Sequence, residues 1–347
     1  MLFAGVDAGG TTTRAAVHAA DGTRLGHGTA GPGNPAAHGP TAACVAVGQA
    51  LRRALDGLDP RSVAASVAGV AGGDDAFAAT LARTWAECGL ATPPRMVGDV
   101  EVAYAAGTAA PSGTLLLAGT GAAAARFSGR AVTAVADGLG WLLGDEGGGF
   151  WIGRAGVRAA VHTLDRSQER ARDSVRDCTR DSVRDSVRAR LRDSPQDRGL
   201  GRGLGPSPVF GPLVELVSAH FGVAGEPRRR ADRIVRLAQA DRMLVAAAAP
   251  LVSRAASAGD EDAAGIVAEA ARRLTATAAR LPGDGPLVLA GGVLTTDGPV
   301  RAAVLARLAG RQVTTARDGT AGACWLAALD RLGERAVHER FIASGGR

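Results

Sequence analysis

Asp7-Ala8-Gly9-Gly10-Thr11-Thr12-Thr13-Arg14 is the stretch on which the reading of this chain turns. The apolar run Leu2–Val6 leads into it, Arg14–Ala19 leads out, and Asp21-Gly22 supplies the next turn. That order predicts strand, glycine loop, strand and turn, which is a β-hairpin. With two adjacent glycines at the tip no Cβ intervenes, so the amides of Gly9 and Gly10 can approach a phosphate. The hydroxyls of Thr11, Thr12 and Thr13 add donors. Asp7, at the end of the first strand, can hold Mg²⁺ directly or through water. An ordinary hairpin turn draws on the same residue types, but Asp-x-Gly-Gly-Thr-Thr is the rarer string and favours phosphate.

Outward from the loop the chain alternates helix and strand signals. Thr41–Leu55 has helical apolar spacing. Val63–Val70 reads as a buried strand ending in Ala71-Gly72-Gly73, Ala76–Cys88 as a helix closed by Gly89, and Arg95–Val97 as a short strand delivering Gly98-Asp99. Val100–Ala106 then begins a helix. A second strand–glycine loop–strand unit, Thr114–Ala118, Gly119-Thr120-Gly121 and Ala122–Phe127, follows the first by about a hundred residues and suggests an internal duplication. Pro286–Leu289 is a strand running into Ala290-Gly291-Gly292-Val293, a helix begins near Pro299, and Gly319–Leu332 is helical. The pattern is α/β.

At 347 residues the chain has room for two domains. Aromatic residues make up only 3% against 46% hydrophobic, so the core must be built from Ala, Val and Leu. Lysine is absent. That excludes a GK[ST] phosphate loop, a Schiff base and pyridoxal-phosphate attachment, leaving backbone amides, hydroxyls, arginine or a metal to handle phosphate. The net charge of +6 is local: residues 151–205 hold 13 Arg and 8 acids, and the remainder 27 Arg and 26 acids. It reads as a solvated surface segment, with no nucleic-acid partner expected. Cys44, Cys88, Cys178 and Cys324 lack CxxC spacing, so neither a zinc site nor a disulfide framework is expected. No signal peptide is read, and the longest apolar run, Met243–Val252, is too short to span a bilayer. A soluble cytoplasmic protein is expected. Residues 173–188 repeat Asp-Ser-Val-Arg with one Asp-Cys-Thr-Arg variant, within a charged insertion at about 165–208 read as non-catalytic.

Four further motifs could carry chemistry. Gly119-Thr120-Gly121 suits the outer phosphates of a nucleotide, and Gly291-Gly292 offers bare backbone to an adenine or ribose. Asp99 could accept a proton from a substrate hydroxyl, although on the residue alone a helix N-cap is the better reading. Asp137 through Gly153 sets Asp145 and Glu146 among glycines, with Trp141, Leu142, Leu143, Phe150 and Trp151 interleaved. A linker would not be this apolar, and carboxylates suit sugar diols.

In this order the motifs resemble the superfamily of sugar kinases, actin and the heat-shock ATPases. More closely they resemble the BadF/BadG/BcrA/BcrD-type ATPases, which include N-acetylglucosamine kinase and bacterial glucosamine kinases. The resemblance implies two ribonuclease H-like (actin-like ATPase) domains with a central cleft, placed at 1–108 plus 315–347 and at 109–314. It implies ATP with Mg²⁺, Asp7–Thr13 and Gly119–Gly121 as phosphate loops, Ala290–Val293 as the adenosine motif, and Asp99 as the catalytic base. It carries the sugar-contacting positions onto Gly33-Asn34 and Asp145-Glu146. Gly98 departs from the Asn that many relatives carry before the catalytic Asp. The activity implied is phosphorylation of the 6-hydroxyl of an amino sugar. D-glucosamine is expected ahead of N-acetylglucosamine, with Glu101 and Asp137 as candidate carboxylates for its ammonium. A homodimer is expected. An iron–sulfur ATPase activator, a transcription regulator and a non-catalytic sugar-binding protein are the other classes. Scattered cysteines oppose the first, and a phosphate loop starting at residue 7 leaves the second no DNA-binding segment.

Overall fold

The run Leu2–Ala8 forms strand β1, and Phe3, Ala4, Val6 and Ala8 are all buried. A strand buried on both faces belongs inside a sheet. β1 pairs antiparallel with β2 (Thr13–Ala19), setting Asp7 opposite Arg14, and parallel with β4 (Val63–Val70). β3 (Arg24–Ala30) and β5 (Arg95–Val97) complete a sheet of order β3-β2-β1-β4-β5. The second sheet contains β6 (Gly113–Ala118), β7 (Ala122–Ser128), β8 (Ala131–Asp137), β9 (Leu287–Ala290) and β10 (Val313–Thr315), in the order β10-β9-β6-β7-β8. Read from β8 inward, its antiparallel meander and two added parallel strands repeat the first sheet's connectivity. The duplication is thus one of topology, a ribonuclease H-like sheet present twice. The computed structural model describes residues 1–167 and 210–343. The repeat at 173–188 and nearly all of the 165–208 insertion lie outside the described residues.

Short helices α1 (Pro35–His38) and α5 (Gly140–Leu143) sit in loops. Helices α2 (Pro40–Ala54) and α3 (Asp75–Glu87) cover one face of the first sheet, burying Leu51, Leu81 and Trp85 with Val6, Ala8 and Val17. The Trp85 indole donates to Ser66 Oγ at 2.9 Å, so the largest core side chain has its polar edge satisfied. Strand β3 has a weak sequence signal because of Gly26 and Gly28. A Cβ on either would run into the carbonyl of Ala54 or Ala50, so the glycines let α2 lie directly on the strand.

Helix α4 (Asp99–Gly107) is followed in the chain by a helix over 149–167 (α6). Next come α7 (Pro212–His220), α8 (Pro227–Ala240), α9 (Arg242–Ala247), α10 (Ala249–Ser257) and α11 (Glu261–Ala279). Then follow α12 (Gly292–Thr295), α13 (Pro299–Arg307), α14 (Gly319–Leu332) and α15 (His338–Ala343). The chain divides into two compact units, 1–148 with 271–347, which holds both sheets, and 149–270, whose described residues form helices. Within the helical unit Asp260 ties α7 to α11, accepting from Leu213 N at 2.9 Å and Ala263 N at 3.0 Å. Among the described residues no helix is long and apolar enough to cross a membrane.

Helix α14 covers the other face of β1 and rests on α4. A Cβ on Gly5 would lie 2.5 Å from the Thr320 carbonyl and 2.6 Å from the Cys324 amide, and one on Gly322 would lie 2.6 Å from the Ala106 amide. Hydrogen side chains therefore set how closely β1, α14 and α4 approach. Gly5→Ala is expected to lower stability by about 3 kcal/mol through overpacking, measured as a urea-midpoint shift; an unchanged midpoint would show that the layer yields.

Candidate active site

The loop between β1 and β2 is closed by Gly9 N–H donating to Thr12 O at 3.1 Å, and Gly33 N–H docks on Gly9 O at 3.0 Å. Gly33 also lies over Thr13, where a Cβ would run into the Thr13 hydroxyl. Thr13 is fully buried and its hydroxyl has no partner. Thr13 therefore supports the loop from beneath, leaving Gly10, Thr11 and Thr12 as its accessible donors. Asn34 caps α1, its Oδ1 accepting from Ala37 N at 3.1 Å, so its amide nitrogen is the group left to donate. His38 Nε2 meets Gly10 O at 3.1 Å, a tie across the loop that no sequence signal marked.

The loop between β6 and β7 is gripped from two sides. A Cβ on Gly121 would lie 2.6 Å from the Asp145 carboxylate, and Gly148 packs against the Gly121 backbone. Gly291 is equally filled, since a Cβ there would run into Ala118 and Gly119. Gly10, Gly119 and Gly292, by contrast, have nothing within 4 Å of that position. The candidate glycines thus separate into those required by protein packing and those with an open face.

Asp137 has a structural role that its sequence position did not show. Its Oδ1 accepts from Asp145 N and its Oδ2 from Glu146 N, both at 2.8 Å, so this carboxylate shapes the 144–148 loop. Asp137 and Asp145 both take left-handed φ values, 65° and 56°, rare for non-glycine residues and concentrated in this loop. Burial raises the Asp145 pKa, with the Asp137 charge adding to the effect. Glu146 is ion-paired with Arg273 of α11.

Glu101 likewise has a local role. Its carboxylate reaches back to accept from the Gly98 amide at the start of α4, the acidic half of a capping box whose other half a glycine cannot supply. A Cβ at position 98 would lie 2.6 Å from that carboxylate, so the departure from Asn and the presence of Glu101 belong together. The N-cap is Gly98 and not Asp99. Asp99 is the first helical residue, its Oδ1 accepting from Val100 N at 3.0 Å. Burial pushes its pKa up.

The charge of Asp99 also reaches Asp7. Asp7 is pushed up to about 6, first by burial, then by the Asp99 charge, with Asp318 adding and Arg14 opposing. Asp318 was missed in the sequence. It caps α14 through Thr320 N at 3.0 Å and pairs with Arg24 at 3.1 Å, while Gly319 presses on the Asp7 carboxylate. Asp-Gly-Thr ahead of a helix was a readable cap signal, but not its neighbourhood. Among the described residues no three His, Cys, Asp or Glu side chains converge into a complete metal site. A half-buried, under-compensated Asp7 nevertheless fits Mg²⁺, which takes one or two protein carboxylates and completes its shell with phosphates and water.

Two sheets of one connectivity, each with a glycine turn after its first strand, define an actin-like ATPase fold. The sequence profile of the BadF/BadG/BcrA/BcrD ATPase family matches residues 4–327, and the chain belongs to that family. Comparison with curated proteins gives no match. Among solved structures, a putative N-acetylglucosamine kinase from Chromobacterium violaceum is 23% identical with a TM-score of 0.65, over 94% of this chain and 98% of that one. A putative N-acetylglucosamine kinase from Porphyromonas gingivalis is 19% identical with a TM-score of 0.63, over 96% and 100%. A ROK family glucokinase from Streptomyces griseus, in complex with glucose and AMPPNP, is 21% identical with a TM-score of 0.52, over 94% and 99%.

Two outcomes test this geometry. Between 3.8 and about 6 the folded state holds a proton on Asp7 that the unfolded state has released, so stability falls as pH rises through that window. Above it the loss is about 3 kcal/mol. Asp7→Asn, measured in chelator, is expected to be more stable than wild type near neutral pH but not near pH 4; equal midpoints at both would refute the assignment. Asp137→Asn leaves one of two loop amides without an acceptor and is expected to lower stability by about 1–3 kcal/mol, with greater proteolytic nicking at 138–148.

Proposed function

We propose that the protein is an ATP-dependent sugar kinase that phosphorylates the 6-hydroxyl of an amino sugar. The observation that carries this is Asp99, half-buried at the first position of α4 with a raised pKa and its charge acting on Asp7 at the β1 end of the glycine loop. Family membership and the fold shared with kinases support it. The two lobes would be those built on the two sheets, 1–108 with 315–347 and 109–314.

In this reading Asp99 takes the proton of the 6-hydroxyl as that oxygen attacks the γ-phosphorus. The bond from phosphorus to the ADP oxygen breaks, and the charge leaves on ADP. The amide of Gly10 and the hydroxyls of Thr11, Thr12 and Thr120 donate to phosphate oxygens. They do so without lysine because turn amides are already oriented. Magnesium, when bound, would neutralise phosphate charge, and Asp7 is the residue to hold it. Gly292 offers its open face to the nucleoside. Asn34, Asp145 and Glu146 are the candidate sugar contacts.

The choice between sugars now leans the other way from the sequence expectation. Of the carboxylates assigned to the ammonium of glucosamine, Asp137 shapes the 144–148 loop, and Glu101 lines a cavity with Arg95 and Arg130 that Asp99 does not line. A neutral acetamide needs no such partner, so N-acetylglucosamine is the favoured substrate. A coupled ADP-release assay across hexoses and amino sugars tests this. N-acetylglucosamine is expected to exceed glucosamine by about tenfold or more in kcat/KM, and the reverse order would return the assignment to glucosamine. Asp99→Asn is expected to lose about 10²–10⁴-fold in kcat with KM little changed; turnover at the wild-type rate would remove Asp99 as the base.

A further inference from the structure

Behind the first turns of α4 lies a cavity of about 410 Å³ that the proposed phosphotransfer does not use. Its walls come from β5, α4, the β7–β8 turn and α14. The volume falls in the range of small-molecule pockets, roughly 300–1,000 Å³. Arg95, Asp330, Glu101 and Arg130 bring four charges to it. Arg95 and Asp330 answer each other, with Nε donating to Oδ2 at 2.8 Å and Nη2 to Oδ1 at 3.3 Å.

Among the described residues the only cation Glu101 feels is Arg95, which Asp330 already answers, and Arg130 has no carboxylate partner. Glu101 accepts from the Gly98 amide alone. Arg130 donates Nη2 to the Ala109 carbonyl at 2.9 Å and lies 5.3 Å over the Trp325 ring, with no carboxylate within ion-pair distance among the described residues. Two shielded donors also lack acceptors, Arg130 Nε and the hydroxyl of Tyr104, a residue only 2% exposed. Arg130 takes a left-handed φ of 66° because it and Gly129, at 58°, form the two-residue turn of the β7–β8 hairpin. Leu326 and Leu329 give the cavity an apolar side.

A cation alone would leave Arg130 unanswered, an anion alone would meet the Glu101 charge, and a neutral apolar molecule would answer neither. We propose that this cavity binds a small amphipathic amino acid. Its ammonium sits on Glu101, its carboxylate on Arg130, and its apolar body against Leu326 and Leu329. Glu101 also holds the amide of Gly98, directly before Asp99, so an ammonium competing for that carboxylate changes how α4 begins. Binding stands apart from the kinase reading; only the coupling to turnover rests on it.

The test uses the full-length protein without nucleotide or sugar, titrated calorimetrically with L-leucine and with 6-aminohexanoate, and with hexanoate and hexylamine as single-charge comparisons. At least one zwitterion is expected to bind with Kd below about 1 mM, and each single-charge compound about tenfold more weakly or worse. Glu101→Gln keeps an acceptor for Gly98, and Arg130→Gly suits the backbone at that position. Both are expected to fold by circular dichroism and to weaken binding about tenfold. Absence of binding by both zwitterions, equal binding by a single-charge compound, or unchanged binding in both variants overturns the site. A bound zwitterion that leaves kcat unmoved overturns the coupling while leaving the kinase reading intact.

Discussion

Contact between the backbones of β1 and α14 is the constraint on which the candidate site depends. Gly5 admits the helix to the strand, Gly322 admits α4 to the helix, and Gly319 brings the start of α14 onto Asp7. Three chain segments, far apart in sequence, thereby end at one place with Asp7, Asp99 and Asp318. In a core this poor in aromatics, small residues are what allow such proximity. Interiors pack too tightly for a methyl group to be absorbed at a backbone contact without moving something.

The two glycine turns show how one residue type serves two purposes. Gly121 and Gly291 are glycine because the Asp145 carboxylate and the Ala118 carbonyl occupy the space a side chain would need. Gly10, Gly119 and Gly292 face open space, so contact with a side chain's neighbours does not explain them; in the proposed kinase a ligand's approach would. The filled positions hold the second loop between the 144–148 segment and the start of α12. The open ones are where phosphate and nucleoside would arrive.

Much of this was legible in the sequence, because hydrophobic runs punctuated by glycine leave few alternatives. The strands at Val63–Val70 and Arg95–Val97 and the helix at Gly319–Leu332 fall where their patterns place them. Three strands did not announce themselves. β3 carries Gly26 and Gly28 in place of β-formers, β8 has few buried positions, and β10 is only three residues long. Glu101 and Asp137 were assigned by nearness in sequence to predicted ligand contacts. Their partners are backbone amides, exposed by a helix start and by a strained loop. Sequence carries the carboxylate but not the orientation of the amide it will meet.

The carboxylates at the three segment ends are not equivalent. Asp318 is answered by Arg24 and by the amides of its own helix. Asp99 has one local amide, and Asp7 is opposed mainly by Arg14 across the hairpin. Negative charge gathered away from water is unfavourable until a cation joins it. The fold tolerates it because the packing of β1, α14 and α4 leaves Asp7 nowhere else to go. A site held in this state favours the species that relieves it, a metal cation arriving with its phosphates, over a protein cation. A lysine reaching into this position would quench the charge permanently, whereas a dissociable ion does so only while nucleotide is present. The absence of lysine from the chain and the under-compensated Asp7 are therefore consistent with one another. In the proposed kinase both would leave phosphate to fixed amides and to an exchangeable ion.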